Sequence, residues 1–255
     1  MGALHEGHLS LVRAARKRSD RVVVSIFVNP IQFGPQEDFR KYPRTLVRDL
    51  RLLRKERVDV IFLPSVYEMY PKGPRSTVEP GPLAKKLCGR FRPGHFAGVA
   101  TIVLRLCAAV RPDVAFFGQK DYQQQLIIKW LCKTHELPIR IVDLPTVREA
   151  DGLAMSSRNK YLSQSERHES ATLYRALRRG QRMIHFGECR AHRIRSAIRD
   201  ALEGIQGSRI DYVSVSDPRT LAENSKISGP TLLAAAVWIG KVRLIDNLLA
   251  SPPPL

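Results

Sequence analysis

Two histidines three positions apart, His5 and His8, stand in the opening stretch MGALHEGHLSLV. Gly2 and Gly7 leave room there for a tight turn and for close approach of another group to the backbone. From His8 onward, Leu9, Leu11, Val12 and Ala15 fall on one side of a helix, while Arg13, Arg16, Lys17 and Arg18 ride outside it. The histidines therefore belong in or just before a first helical turn, where unpaired N–H groups and the helix dipole attract anions. Two imidazoles on one face can then reach a single phosphate. Zinc fits less well, since a metalloprotease helix needs His-Glu-x-x-His at four-residue spacing and this stretch is one residue short. Without a partner motif downstream, the pair would read as two surface residues.

Other groups carry chemistry further along. Gly118-Gln119-Lys120-Asp121 sits between a strand and a helix, where a lysine can meet a phosphate and an acid can accept ribose hydroxyls. It is no Walker loop, because G-x-x-x-x-G-K-[ST] occurs nowhere. Met155-Ser156-Ser157-Arg158-Asn159 offers two hydroxyls, a guanidinium and an amide in a flexible loop, a donor set that can wrap a triphosphate. Gln32 and Gln124 are neutral polar groups at strand and helix ends, weak as singletons. Arg175, Arg178, Arg179 and Arg182 form one basic helix stripe, continued by Arg190, Arg193 and Arg195. That pattern reads first as the solvated face of a packed helix and second as a nucleic-acid footprint. The aromatic interleaving used to stack bases is missing from it.

The elements that must position these groups are legible from periodicity. RVVVSIFV at 21–28 is a β-branched run suited to a parallel sheet buried on both faces, ending in the loop Asn29-Pro30-Ile31-Gln32-Phe33-Gly34. Open α/β sheets bind ligands at such carboxyl edges. A helix follows from Thr45 to Lys55, a strand at 58–63 and a Pro- and Gly-rich loop at 67–93. Helix 96–110 is apolar nearly all round. Strand 113–117 feeds helix 122–135, and strand 139–144 closes this half. Strands and helices alternating at these lengths predict a doubly wound parallel sheet. After Pro145 the pattern changes. Residues 146–159 form a polar loop, followed by long helices at 164–186 and 190–205 and strands at 210–215, 231–239 and 242–245. The chain thus divides near 147 into an α/β domain (1–147) and a smaller α+β domain (148–255).

Composition sets the outer bounds. The 255 residues carry a formal charge of +18 with 44% apolar residues. That balance suits nucleic acid, an acidic membrane surface or a phosphorylated ligand, and says nothing of fold. Cysteines 88, 107, 132 and 189 match no zinc spacing and predict free thiols in a reducing cytoplasm. The longest apolar run, 232–239, is too short to span a bilayer. The opening residues hold no apolar run of the kind a secretory leader uses, so a soluble cytoplasmic protein is expected.

Together, MGALHEGHLSLV, SIFVNPIQF, KYPRT, RPGHFAGVATIV, FFGQKDYQQ, PTVREADGLAMSSRNKYL and WIGKVRLIDN resemble the pantothenate synthetase (pantoate–β-alanine ligase) family. They stand in family order and spacing from the first residue to about 247. The wider resemblance is to HIGH-type nucleotidyl transferases, kin by fold to class I aminoacyl-tRNA synthetases. His5 and His8 lie in the first signature of that class and Ser156–Asn159 in the second.

The resemblance implies a Rossmann-like nucleotide- and pantoate-binding domain with a C-terminal lid, in a homodimer. It implies formation of pantoyl adenylate from pantoate and ATP, then displacement of AMP by β-alanine. On it, His5 and His8 would contact the phosphates. Lys120, Ser156, Ser157 and Arg158 would hold the triphosphate. Met1, Gly118, Asp121 and Val147 would line the nucleotide pocket, and Gln32 and Gln124 would grip pantoate. Magnesium would accompany ATP, with Asp49 assisting through water, and His95 and Tyr42 would fall in the pocket region. Against the family pattern, Cys88 stands where some members have Glu, and Gln119 replaces the commoner Glu. Family chains also carry a strand and a helix before this Met1. The expectation is either a start further upstream or a fragment with a compromised ATP site, and a sheet in which 22–28 has an unpaired edge. Another adenylyl or cytidylyl transferase is the alternative activity, and a basic nucleic-acid-binding protein a more distant one.

Overall fold

The computed structural model describes residues 2–35 and 37–253. The chain separates into two compact units, Met1–Val147 and Arg148–Leu255.

The first unit runs α1 (Glu6–Arg16), β1 (Val23–Ser25), α2 (Leu46–Lys55), β2 (Val60–Phe62), α3 (Val66–Met69), α4 (Cys88–Phe91), α5 (His95–Val110), β3 (Val114–Gly118), α6 (Tyr122–Thr134) and β4 (Arg140–Leu144). β1 and β2 pair in parallel, with Val23 opposite Val60 and Ser25 opposite Phe62. β3 and β4 do the same, with Val114 opposite Arg140 and Gly118 opposite Leu144. Parallel strands joined through helices are the α/β architecture that the alternating pattern predicts.

The pairing differs in one respect from a single continuous sheet. The described residues form two separate parallel pairs, β1-β2 and β3-β4. β1 is correspondingly short, and Val23 is 39% exposed rather than buried on both faces. With β2 as its only ladder partner among the described residues, just three residues hold strand pairing.

Leu4, Leu9, Val12, Val22, Val24 and Leu53 make one core cluster, which seats α1 and α2 against β1. Only the first half of α5 is buried, from Phe96 to Ile102, so its nearly uniform apolarity overstates its burial. The stretch 67–93, read as loop, contains α4, the end of α3 and a 3-10 turn at Pro82–Lys85. Its signal was present in the sequence as a capping box. The Ser65 hydroxyl accepts the Glu68 N–H at 3.2 Å, and the Glu68 carboxylate accepts the Ser65 N–H at 2.6 Å.

The second unit runs α7 (Gln164–Ser170), α8 (Thr172–His185), α9 (Ala191–Glu203), β5 (Arg209–Ser216), β6 (Thr231–Ile239) and β7 (Val242–Ala250). Its sheet is antiparallel in the order β5-β6-β7, with Ile239 opposite Val242 across a turn where Gly240 takes φ +55°. Leu177, Ile184, Ile194 and Ile198 of α8 and α9 share a core with Val213, Leu233 and Val237 of the sheet. The long helix expected over 164–186 breaks at Ala171, where the Ser170 hydroxyl turns back to the Arg167 carbonyl at 2.7 Å. β7 runs five residues past its predicted end because Leu248 and Leu249 continue the pairing with Leu233 and Leu232. No helix among the described residues is long and apolar enough to cross a membrane.

Candidate active site

His5 is the N-cap of α1, with extended backbone at φ −136°. His8 lies three residues on, and its Nδ1 accepts the His5 backbone N–H at 3.3 Å. A neutral imidazole that accepts at Nδ1 carries its proton on Nε2, so the N–H donor of His8 is Nε2–H. The two rings lie 4.0 Å apart between centroids, tilted by 36°. Burial pushes the His8 pKa well below its ordinary value, and the neighbouring His5 and the Lys120 ammonium push it the same way. His8 is therefore a neutral donor near neutral pH, standing in the field of Lys120.

The segment leading into α1 is held by α2. Asp49, 1% exposed, accepts the backbone N–H groups of Ala3 and Leu4, each at 2.9 Å, and the Thr45 hydroxyl at 3.0 Å. Its carboxylate, expected to assist a metal, here faces protein donors.

A second group gathers on the loop after β1. Asn29, 2% exposed, donates from Nδ2 to the Gly98 carbonyl at 3.1 Å and to Gln32 Oε1 at 3.2 Å. The Tyr70 hydroxyl donates to Asn29 Oδ1 at 2.6 Å. The turn Pro30–Gln32 rests directly on α5: a Cβ at Gly98 would lie 2.3 Å from the Ile31 oxygen. His95, the first residue of α5, is fixed at both ring nitrogens. Arg92 lies 3.0 Å from Nε2, and the Gln32 carbonyl lies 2.8 Å from Nδ1. Because a guanidinium can only donate, Nε2 accepts and Nδ1–H donates to Gln32. Arg92 in turn reaches Glu37 at 2.7 and 2.5 Å. Burial lowers His95 to about 4, with Arg92 adding to that, against opposing pulls from the Gln32 carbonyl, Glu37 and Asp121. Burial would raise Glu37, but the Arg92 hydrogen bond and charge outweigh it and hold the carboxyl below its usual range.

Gly118 ends β3, and a Cβ there would meet nothing within 4 Å. Lys120 and Asp121 follow in the 3-10 turn Gln119–Asp121, which leads directly into α6. Gln124, on the first turn of α6, is half-buried, as is Val147 at the end of the first unit. Gln123, not singled out from the sequence, binds the Cys88 N–H at 3.0 Å and the Leu83 and Lys86 carbonyls at 2.9 and 2.7 Å. Tyr42 packs edge-on against Phe33, ring centroids 5.8 Å apart.

In the second unit, Ser156 caps the 3-10 helix Ser157–Tyr161 by accepting the Arg158 N–H at 3.2 Å, and Ser157 is buried. Asn159 anchors this run from Nδ2 to the Ala154 carbonyl at 3.2 Å and to Glu149 at 2.7 Å. Arg167 clamps Glu149 and Asp151 at 2.6 and 2.5 Å. Arg148 pairs with the buried Asp246 at 2.6 and 3.0 Å and lies 4.0 Å over the Tyr174 ring.

The first unit thus brings His5, His8 and Lys120 into one electrostatic group, and joins Gln32 to His95, within the field of Asp121. The Ser156–Arg158 run belongs to the second unit. Met1 lies outside the described residues. Asn29, Tyr70, Arg92 and Glu37 went unread in the sequence as site residues. A glycine inside an apolar helix (Gly98) facing an Asn-Pro loop was the one sign of the close approach they serve.

The family described as pantoate-beta-alanine ligase matches residues 1–249 of the chain. The pantothenate synthetase of Moorella thermoacetica is 53% identical over 249 residues, covering 98% of this chain and 88% of that protein. That of Heliobacterium modesticaldum is also 53% identical, covering 98% and 89%. The crystal structure of pantothenate synthetase from Thermus thermophilus superposes with a TM-score of 0.93 at 45% identity, covering 97% of this chain and 90% of that one. The Francisella tularensis pantoate-beta-alanine ligase, solved in complex with β-γ ATP and β-alanine, gives 0.79 at 38% identity, covering 98% and 87%. With a match spanning nearly its whole length, this chain belongs to the pantoate–β-alanine ligase family.

Proposed function

We propose that this chain joins pantoate to β-alanine in two steps, drawing on ATP. In the first, a pantoate carboxylate oxygen attacks the α-phosphorus of ATP. The bond from that phosphorus to the bridging oxygen breaks, pyrophosphate leaves and pantoyl adenylate forms. In the second, the neutral amine of β-alanine attacks the acyl carbon, AMP departs with the former carboxylate oxygen, and the nitrogen loses a proton. A bare carboxylate is a poor acyl electrophile; the AMP leaving group corrects that. Positioning and stabilisation of charge on phosphate oxygens make up most of what remains for the protein.

The observation that carries this reading is the state of His8. Neutral, with Nδ1 already bonded, it offers Nε2–H to a phosphate oxygen without bringing a second full charge beside Lys120. His5 and Lys120 join it on the phosphates, and Ser156, Ser157 and Arg158 take the triphosphate and the leaving pyrophosphate. Gly118, with room at its Cα, admits the nucleotide close to the backbone, and Met1, Asp121 and Val147 line the ribose and adenine side. Gln32 and Gln124 hold pantoate. Gln32 suits this because its main chain is already fixed by His95 and its amide by Asn29. Magnesium enters as part of the MgATP co-substrate. We further place the protein in the cytoplasm as a homodimer, a compartment that suits four cysteines held as thiols.

The test is to mix protein, MgATP and pantoate without β-alanine and follow pyrophosphate. A burst stoichiometric with protein is expected, with pantothenate appearing once β-alanine is added. Silence with pantoate, but release with a different acid, would make the chain a transferase of other specificity.

A further inference from the structure

The buried carboxylate of Asp49 sits where a metal partner was expected, yet its bonding points elsewhere. Oδ2 accepts the Ala3 N–H, and Oδ1 accepts the Leu4 N–H and the Thr45 hydroxyl, at 2.9, 2.9 and 3.0 Å. Three of the roughly four acceptor directions of a carboxylate are used, and 1% exposure leaves the group closed to solvent. The preceding residue of α2 completes the grip, since Arg48 donates to the Leu4 carbonyl at 3.1 Å. Ala3 holds a left-handed backbone at φ +48°, which a residue with a Cβ keeps only when its surroundings over-determine it. Two charge-assisted bonds on consecutive amides are such surroundings. The next residue is His5, whose own N–H runs to His8 Nδ1. One unbroken line therefore leads from Asp49 through Ala3 and Leu4 to both imidazoles.

We propose that Asp49 is a positioning residue for the His5–His8 pair, acting through the Ala3–Leu4 main chain, and is not a partner of the metal. The inference rests on the proposed role of that pair in adenylate formation. Displacements of about 1 Å at a reacting group can cost about 10²-fold in rate. Loss of the clamp should therefore lower turnover far more than affinity.

The experiment compares wild type with Asp49→Asn, which keeps the shape but replaces an acceptor by a donor, and with Arg48→Met, which removes the grip on Leu4 alone. Three readings are taken: pantoate-dependent pyrophosphate release, the Mg²⁺ concentration giving half the maximal rate at fixed ATP, and hydrogen exchange of the Ala3 and Leu4 amides. Expected for Asp49→Asn are a release rate lower by roughly 30- to 100-fold, half-saturating Mg²⁺ within about twofold of wild type, and faster exchange at both amides. Arg48→Met should show the same signature more weakly. Half-saturating Mg²⁺ rising in step with the loss of rate would return Asp49 to the metal and overturn the proposal. So would wild-type release in both variants, or unchanged amide exchange in Asp49→Asn. Were wild type itself to release no pyrophosphate with pantoate, the functional reading would fall, while the exchange measurement would still decide the clamp.

Discussion

At the scale of single residues, the site is set by which nitrogen of each imidazole is already taken. His8 accepts at Nδ1 and His95 accepts at Nε2, so the two present opposite tautomers. Both are held neutral chiefly by burial. This has a consequence for stability. The unfolded chain binds a proton at each of these histidines near the ordinary value of about 6.5, whereas folded His95 does so only near 4. Between those values the unfolded state holds more protons, so stability is fully present above about 6.5 and is lost as pH falls toward 4. Glu37, Asp59, Glu68, Asp151 and Asp217 are all held below the usual carboxylate range, so their own losses come at lower pH. Urea midpoints measured from pH 7 to 4.5 should therefore fall, and His95→Gln should flatten part of that fall; a parallel curve for the variant would contradict the assignment. Single residues were also the least legible scale. His5, His8, Lys120 and the Ser156–Arg158 run stand out by type and spacing. Asp49, Asn29, Tyr70, Arg92 and Glu37 act through partners tens of positions away, and no local pattern records such pairings.

At the scale of elements, the turn Pro30–Gln32 and α5 meet backbone to backbone at Gly98. Any side chain there must separate them, because the atoms in the way are main-chain atoms: Ile31 O and C at 2.3 and 2.7 Å and Gln32 N at 2.8 Å. Gly98→Ala is expected to cost about 1–3 kcal/mol of stability, as overpacking does. If Gln32 holds pantoate as proposed, shifting it should also raise the pantoate KM several-fold, with the ATP KM little changed. Denaturant melts and initial rates would show it, and a variant matching wild type in both would sink the contact. The elements themselves were mostly legible where periodicity was long. α5, α6 and α9 lie within a few residues of expectation, as does β6. The misses have separate origins: β1 has one ladder partner among the described residues and pairs over three positions, α8 began anew after Ser170 turned its hydroxyl inward, and the capped α3 lay hidden in a proline-rich stretch.

At the scale of the whole molecule, two compact units, Met1–Val147 and Arg148–Leu255, each close their own core. The charge of +18 is spread over both and does not pick out a partner. The basic face of α8 covers buried Leu173, Leu177 and Ile184, as a packed amphipathic helix does, and Arg190, Arg193 and Arg195 beyond it are paired with Glu188 and Glu223. What the chain does as a ligase turns on whether the imidazole pair acts on the transition state of adenylate formation or only shapes the fold. Pantoate-dependent exchange of labelled pyrophosphate into ATP, measured without β-alanine for wild type and His8→Ala, decides this most directly. The account predicts a loss in exchange rate of roughly 10²-fold or more, the size expected when a group aimed at developing charge is removed, with pantoate affinity within about threefold. Equal losses of exchange and affinity, or exchange that survives the substitution, would contradict it.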